Sequence, residues 1–213
     1  MKEWSGDHPK AKLMARKRAG ILASAKTAFL TSGYGGTSME SIAKAADVSI
    51  MTLYRHAQSK DDLFSAVIAN ACDPDDPREQ AEFARMAELS FADLLTESAL
   101  YMQKILTRPD TVALMRVVMA EASRFPHLAE LAYRGFIVRL EAIVAQILAH
   151  TPEAGGLAQA ERERLGRLFV DRIVGADMLR VLLGMAAPST SEQRARAERA
   201  RDDILRELET LKR

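Results

Sequence analysis

Eight consecutive residues, Ser49-Ile50-Met51-Thr52-Leu53-Tyr54-Arg55-His56, place three hydroxyls, an imidazole and a guanidinium within about two helical turns. Hydroxyl and imidazole groups suit phosphate oxygens, and the arginine fork can read guanine through two parallel hydrogen bonds. That chemistry is recognition, with no bond broken. Ile50 and Met51 add two apolar side chains that could meet thymine methyls or pack inward. Three more candidates for phosphate contact flank the stretch. Thr37 and Ser38 open one helix, and Lys60 opens another, where free N–H groups and a cation together suit an anion. Arg16, Lys17 and Arg18 lie upstream and could reach phosphates or a minor groove.

Chemistry of other kinds finds little support. The four histidines, His8, His56, His127 and His150, are scattered, and no His/Cys/Asp/Glu spacing suggests a metal site. Gly33-x-Gly35-Gly36 follows a helical pattern, not a strand, so it is not read as a phosphate-binding loop. An enzyme is therefore not expected, and no cofactor is expected.

Charge along the chain supports an anionic partner. The net charge is +1, yet residues 1–60 carry ten Lys/Arg against four Asp/Glu, leaving twenty against twenty-five for the remainder. A basic head on an acidic body fits nucleic acid or an acidic membrane surface. The most apolar long stretch, Leu165 to Met185, holds Arg167, Asp171, Arg172, Asp177 and Arg180, which argues against a membrane span. Cys72 is the single cysteine and no signal peptide is read at the N-terminus, so a cytoplasmic location is expected.

The elements that must position these residues are helices. Hydrophobic residues make up 48% of the chain, aromatics only 6%, and no alternating run is long enough for a strand. The first helix runs from about Ala11 to Thr31, with Gly33 as its C-cap. Thr37-x-x-Glu40 reads as a capping box for a helix to about Ala46. Asp47 stands at the turn, Ser49 caps Ile50–His56, and Ser59-x-x-Asp62 caps a fourth helix to Ala71. Ile42, Ala43, Ala46, Val48 and Leu53, closed by Leu22, Phe29, Leu63, Phe64 and Val67, describe a helix-turn-helix on a small bundle. A generic bundle with Leu53 and Tyr54 as core fits the same pattern. The loop Asp73-Pro74-Asp75-Asp76-Pro77 marks a boundary. Further helices are expected over 79–89, 91–106, 109–124, 126–150, 158–185 and 192–211.

The stretch Phe29 to Phe64, through Gly33, Tyr34, Thr37, Ser38, Ile42, Ala43, Ala46, Val48, Ser49, Thr52, Leu53, Tyr54, Arg55, His56, Lys60 and Leu63, resembles the DNA-binding domain of TetR-family transcriptional regulators. Met115 to Gly135 is similar to the C-terminal region of AefR-like regulators. The chain departs from the family pattern at Asp47, where glycine is usual, at Ile50-Met51, where a basic residue and glycine are usual, and at Ala57, where an aromatic is common.

The resemblance implies an all-α fold. Residues 1–72 would form an N-terminal arm and three-helix helix-turn-helix DNA-binding domain, and 73–213 a larger helical ligand-binding and dimerisation domain. It implies a homodimer on a double-stranded, palindromic operator, most often a repressor released by a small-molecule effector. Met102, Met115, Met119, Phe136, Leu140, Met178 and Leu182 are then candidates to line a largely apolar effector site. Arg116, Glu121 and Arg124 could orient a polar ligand group or serve as surface charges. Helices 158–185 and 126–150 are expected at the dimer surface, with Arg172 and Asp177 paired across it or within the subunit. An architectural DNA-binding protein without ligand control, and a ligand-dependent activator, remain open beside the repressor.

Overall fold

The computed structural model describes residues 9–71, 85–86 and 88–211, and these are helical and turn structure throughout. The proline-rich break at 73–77 and most of the expected helix 79–89 lie outside the described residues.

Four helices build the head: α1 (Pro9–Ser32), α2 (Met39–Ala45), α3 (Ile50–His56) and α4 (Lys60–Ala71). The second half of α1 buries Ile21, Leu22, Ala25 and Phe29, while residues 13–20 are exposed. Gly33 ends α1 with φ of 69°, a left-handed conformation that costs glycine nothing. Phe29, Tyr34 and Phe64 form the aromatic centre. Phe29 and Phe64 meet edge to face at 4.9 Å, and Tyr34 meets Phe64 at 5.4 Å. Buried Ile42, Ala43, Leu53 and Leu63 complete the packing, and the small Ala43 lets α3 cross close to α2.

The cap of α2 stands one residue later than expected. Ser38 Oγ accepts from Ser41 N–H at 3.1 Å, and Ser41 Oγ accepts from Ser38 N–H at 3.2 Å. Thr37 is unavailable because its hydroxyl turns inward, where the carbonyls of Gly33 and Ala28 lie at 2.7 and 3.1 Å. Asp47 makes the turn with φ of 52°, a backbone that Asp adopts more readily than most residues. Ser49 caps α3 by accepting from Thr52 N–H, and Ser59 caps α4 by accepting from Asp62 N–H.

The body contains α5 (Phe91–Leu106), α6 (Pro109–Glu121), α7 (His127–Tyr133), a π-helical turn (Arg134–Val138), α8 (Arg139–Ala149), α9 (Gln159–Leu182) and α10 (Thr190–Leu211). Leu95, Ala99, Leu165, Phe169, Ala197, Ala200, Ile204 and Leu208 are buried between α5, α9 and α10. Gly166 brings α9 against α8: a Cβ there would lie 2.6 Å from the Glu141 carbonyl oxygen.

Four expected boundaries move, and the first is the helix expected over 109–124, which ends at Glu121. The single helix expected over 126–150 is interrupted by the π turn, where Gly135 packs on Ile68 of α4 so closely that a Cβ would fall 2.4 Å from its Cγ2. The helix expected over 158–185 is broken at Gly175, with φ 46° and ψ −165°, and stops at Leu182. Its last turn is fixed by Arg116, whose guanidinium donates to the Val181 and Leu182 carbonyls at 2.9 and 3.0 Å. Finally, α10 begins at Thr190, because Ser189 and Glu192 cap it reciprocally: Ser189 N–H donates to Glu192 Oε2, and Glu192 N–H to Ser189 Oγ.

Candidate nucleic-acid interface

Leu53 anchors α3. It is fully buried and faces the head core, which turns the opposite side of the helix outward. Met51 is 70% exposed and Tyr54 43%. Arg55 is exposed beside them, and its Nη2 donates to Thr52 Oγ1 at 3.2 Å. Thr52 Oγ1 in turn lies 2.9 Å from Ser49 Oγ, so the three polar residues form one chain along the helix. Ile50 takes the inward alternative: it is half-buried and packs on the head core.

Arg16, Lys17 and Arg18 are exposed on α1, and the charges of Arg18 and Lys17 are felt by His56 at the end of α3. His56 is half-buried, and its pKa is held below the ordinary histidine value, first by burial and then by the cations of Arg18, Arg55 and Lys17. This gives a pH dependence with a definite sign. The unfolded chain binds a proton at His56 more readily than the folded one. The contribution to stability is complete above about pH 6.5 and declines as pH falls through that value. Denaturant unfolding between pH 7.5 and 5 should show a smaller loss for His56→Gln than for the parent; equal losses would contradict it.

Two residues assigned to phosphate contact are engaged otherwise. Thr37 is 4% exposed, with its hydroxyl among backbone carbonyls. Lys60 Nζ donates to the carbonyls of Tyr34 and Thr37, both at 2.9 Å, and lies 4.3 Å from the centre of the Tyr34 ring. Thr37 ties the α1–α2 turn back to α1, and Lys60 holds that turn against α4. Replacing Thr37 by valine is therefore expected to cost about 1 kcal/mol of stability through the lost hydrogen bond. The folded variant should keep its DNA affinity, and a binding loss with stability intact would restore the phosphate role. Ser38 and Ser49 remain at exposed helix starts.

The sequence reading missed how the body grips this head. Tyr34 Oη donates to Asp61, whose Oδ1 also lies 3.0 Å from His127 Nε2. Burial opposes the ionisation of Asp61, but the hydrogen bonds from Tyr34 and His127 and the charge of Lys60 keep its pKa low. Burial, then the bond to Asp61 and its charge, push the Tyr34 phenol upward. Glu121 Oε1 accepts from Gly35 N–H at 3.1 Å, and Phe125 meets the Tyr34 ring at 5.0 Å. Glu121 is thus a head contact, Arg116 a helix cap, and Arg124 lies 5.2 Å from the Phe125 ring centre; none is placed as a ligand-orienting charge. No local spacing signals these partners, which are far apart in sequence.

The body holds an apolar cavity of about 250 Å³ between α5, α6, α7, the π turn and α9. Five sequence candidates line it: Met115, Met119, Phe136, Met178 and Leu182. Tyr133, Ile137 and Val174 join them. Met102 and Leu140 do not; both are buried in the core. A wider opening of about 650 Å³, between Phe91, Ile143, Ile147 and His150, is more polar, and its wall at Met86 adjoins residues outside the described set. Its almost wholly apolar lining makes the smaller pocket, though open to solvent at Met119 and Tyr133, the better effector candidate.

An outward α3 seated on a buried leucine, preceded by a tight turn and fixed to a helical body, defines a helix-turn-helix transcriptional regulator. Residues 21–67 match the family described as bacterial regulatory proteins, tetR family, and residues 93–206 the AefR-like transcriptional repressor C-terminal domain. The chain belongs to the TetR family and is a DNA-binding transcriptional regulator. Among solved structures, a TetR-family transcriptional regulator from Mesorhizobium loti MAFF303099 is 25% identical, covering 90% of this chain and 96% of that one with a TM-score of 0.68. The Flavonoid-responsive Regulator FrrA is 27% identical, with 90% and 96% covered and a TM-score of 0.65. NalD from Pseudomonas aeruginosa, the secondary repressor of the MexAB-OprM multidrug efflux pump, is 22% identical, with 91% and 96% covered and a TM-score of 0.57; that likeness is one of fold. No curated protein matches the sequence. Among the described residues, no helix is long and apolar enough to cross a membrane.

Proposed function

We propose that the chain is a repressor that binds a palindromic operator as a homodimer and is released by a small, largely apolar effector. The observation that carries the reading is the outward face of α3, with Met51, Tyr54 and Arg55 exposed over buried Leu53. Residues 1–72 act as the DNA-binding head and 73–213 as the ligand-binding and dimerisation body. Arg16 and Arg18 supply further contacts to the DNA backbone, alongside Ser38, Ser49, Thr52 and His56.

A dimer is supported by exposed apolar side chains at the end of α9, where Leu179 and Leu183 are bare and Met185 follows. Arg172 and Asp177 serve within the subunit: Arg172 pairs with Asp203 at 2.7 Å, and Asp177 pairs with Arg196 and Arg180. The segment 126–150, also expected at the dimer surface, buries Leu128, Ala132, Phe136, Leu140, Val144 and Leu148 against its own subunit and leaves Tyr133 and Val138 exposed on its outer side. The dimer reading therefore rests on the exposed apolar residues of both expected helices.

Release requires an effector that binds the off-DNA arrangement better, and operator affinity falls by that difference alone. The apolar cavity supports an effector of this character, and the flavonoid-responsive FrrA offers a precedent. The α6 helix links cavity to head, because Met115 and Met119 line the cavity while Glu121 holds Gly35. Met178→Trp, which fills the cavity, is expected to abolish effector response while leaving operator affinity unchanged. An unaltered response would move the effector elsewhere.

Footprinting combined with sedimentation tests the whole reading. The expected result is a dimer protecting two inverted half-sites about 34–36 Å apart. A monomer on an asymmetric site would refute it.

A further inference from the structure

We propose that Met51 reads the 5-methyl group of a thymine in the operator's major groove. The proposal rests on α3 being the recognition helix, and it names one element of the sequence that helix selects.

Of the large apolar residues described in the head, Met51 is the most exposed. Its neighbour Ile50 packs inward, so the two apolar residues at the start of α3 are not equivalent. Met51 packs on no described core and, being exposed, contributes little to the folded subunit by burial. Its apolar surface is available for contact at the start of α3. The company it keeps indicates the partner. Arg55, one turn along α3, is exposed and held by Thr52, and the charges of Arg18 and Lys17 on α1 reach His56 at the end of the same helix. Cations around an apolar tip suit a surface that is anionic at its edges and apolar at one point inside. In a DNA major groove that point is the thymine methyl, the apolar group by which an A·T pair is told from the others. Tyr54 and Arg55 carry polar heads that suit phosphate or a guanine edge; Met51 has only a thioether, a weak acceptor, and cannot donate. Its three rotatable bonds let the side chain settle on a methyl without fixed geometry.

The test begins with operators selected from a randomised duplex pool by the full-length protein. Each thymine of a recovered operator is then replaced, one at a time, by deoxyuridine, which removes only the methyl group and retains base pairing. Affinity is measured for the parent and for Met51→Ala, whose fold is checked by circular dichroism. At one thymine per half-site, the parent should lose about fourfold, the size expected for one buried methyl group. Met51→Ala should lose less than twofold at the same position. Pools selected with Met51→Ala should also show a weaker preference for thymine there.

A parent indifferent to deoxyuridine at every position overturns the proposal. So does an equal penalty in Met51→Ala, which would mean that another side chain reads the methyl. Failure of the parent to enrich any sequence would instead defeat the recognition-helix reading, and the proposal with it.

Discussion

Replacing Phe29 by alanine is expected to cost about 3–5 kcal/mol of stability and to abolish DNA binding at temperatures where the parent still binds. The ring is fully buried, edge to face with Phe64 at 4.9 Å and stacked with Tyr34 at 5.9 Å. Removing it deletes transfer free energy and leaves a void that neither neighbour can fill. Phe64 is fixed by α4, and Tyr34 is tied to Asp61 and covered by Lys60. The ring sits at the centre of the head, among buried Ile21, Leu22, Ile42, Leu53 and Leu63. Loss at this point also loosens the Gly33–Thr37 turn, which sets the start of α2 and through it the direction of α3. Denaturant midpoints for parent and variant measure the effect. A change below about 1 kcal/mol would mean that the aromatic centre is less tightly packed than the geometry indicates.

Replacing Arg55 by alanine is expected to reduce operator affinity by about 1–3 kcal/mol without a matching loss of stability. Arg55 is exposed, and its partner is Thr52 on the same helix turn, so its removal leaves no buried group unsatisfied. The bond to Thr52 narrows the directions the guanidinium can take before DNA arrives, which favours a paired contact to guanine. If the side chain reads a base, the loss on the operator will exceed the loss on random duplex, and preference at one base pair will relax. Equal losses on both duplexes would assign it to phosphate alone.

Local chemistry made much of the head legible in the sequence. Glycine at 33, aspartate at 47 and the serines at 49 and 59 each have a backbone task that their residue type performs alone. The alternating demands of Leu53 and its neighbours likewise divide α3 into an inner and an outer face. The shift of the α2 cap from Thr37 to Ser38 was not legible, because spacing cannot tell which of two adjacent hydroxyls turns inward. The roles of Lys60 and Glu121 were hidden for a related reason: their partners, Tyr34, Thr37 and Gly35, are 23 to 86 residues away and are brought close only by packing. In the body, adaptable methionines and other large apolar side chains pointed to the pocket wall, which five of the seven candidates line. Met102 and Leu140 share that character but sit on core-facing turns. The π turn at 134–138 and the break at Gly175 leave the apolar pattern almost unbroken, so periodicity passes over both.

The most direct test of DNA recognition through α3 is fluorescence anisotropy with a selected operator and a scrambled duplex of equal length, titrated across salt concentrations. The operator should bind at least about a thousandfold more tightly, and both affinities should fall steeply as salt rises. Equal affinity for the two duplexes, or binding indifferent to salt, would contradict the assignment of α3 and its basic surroundings as a sequence-reading surface.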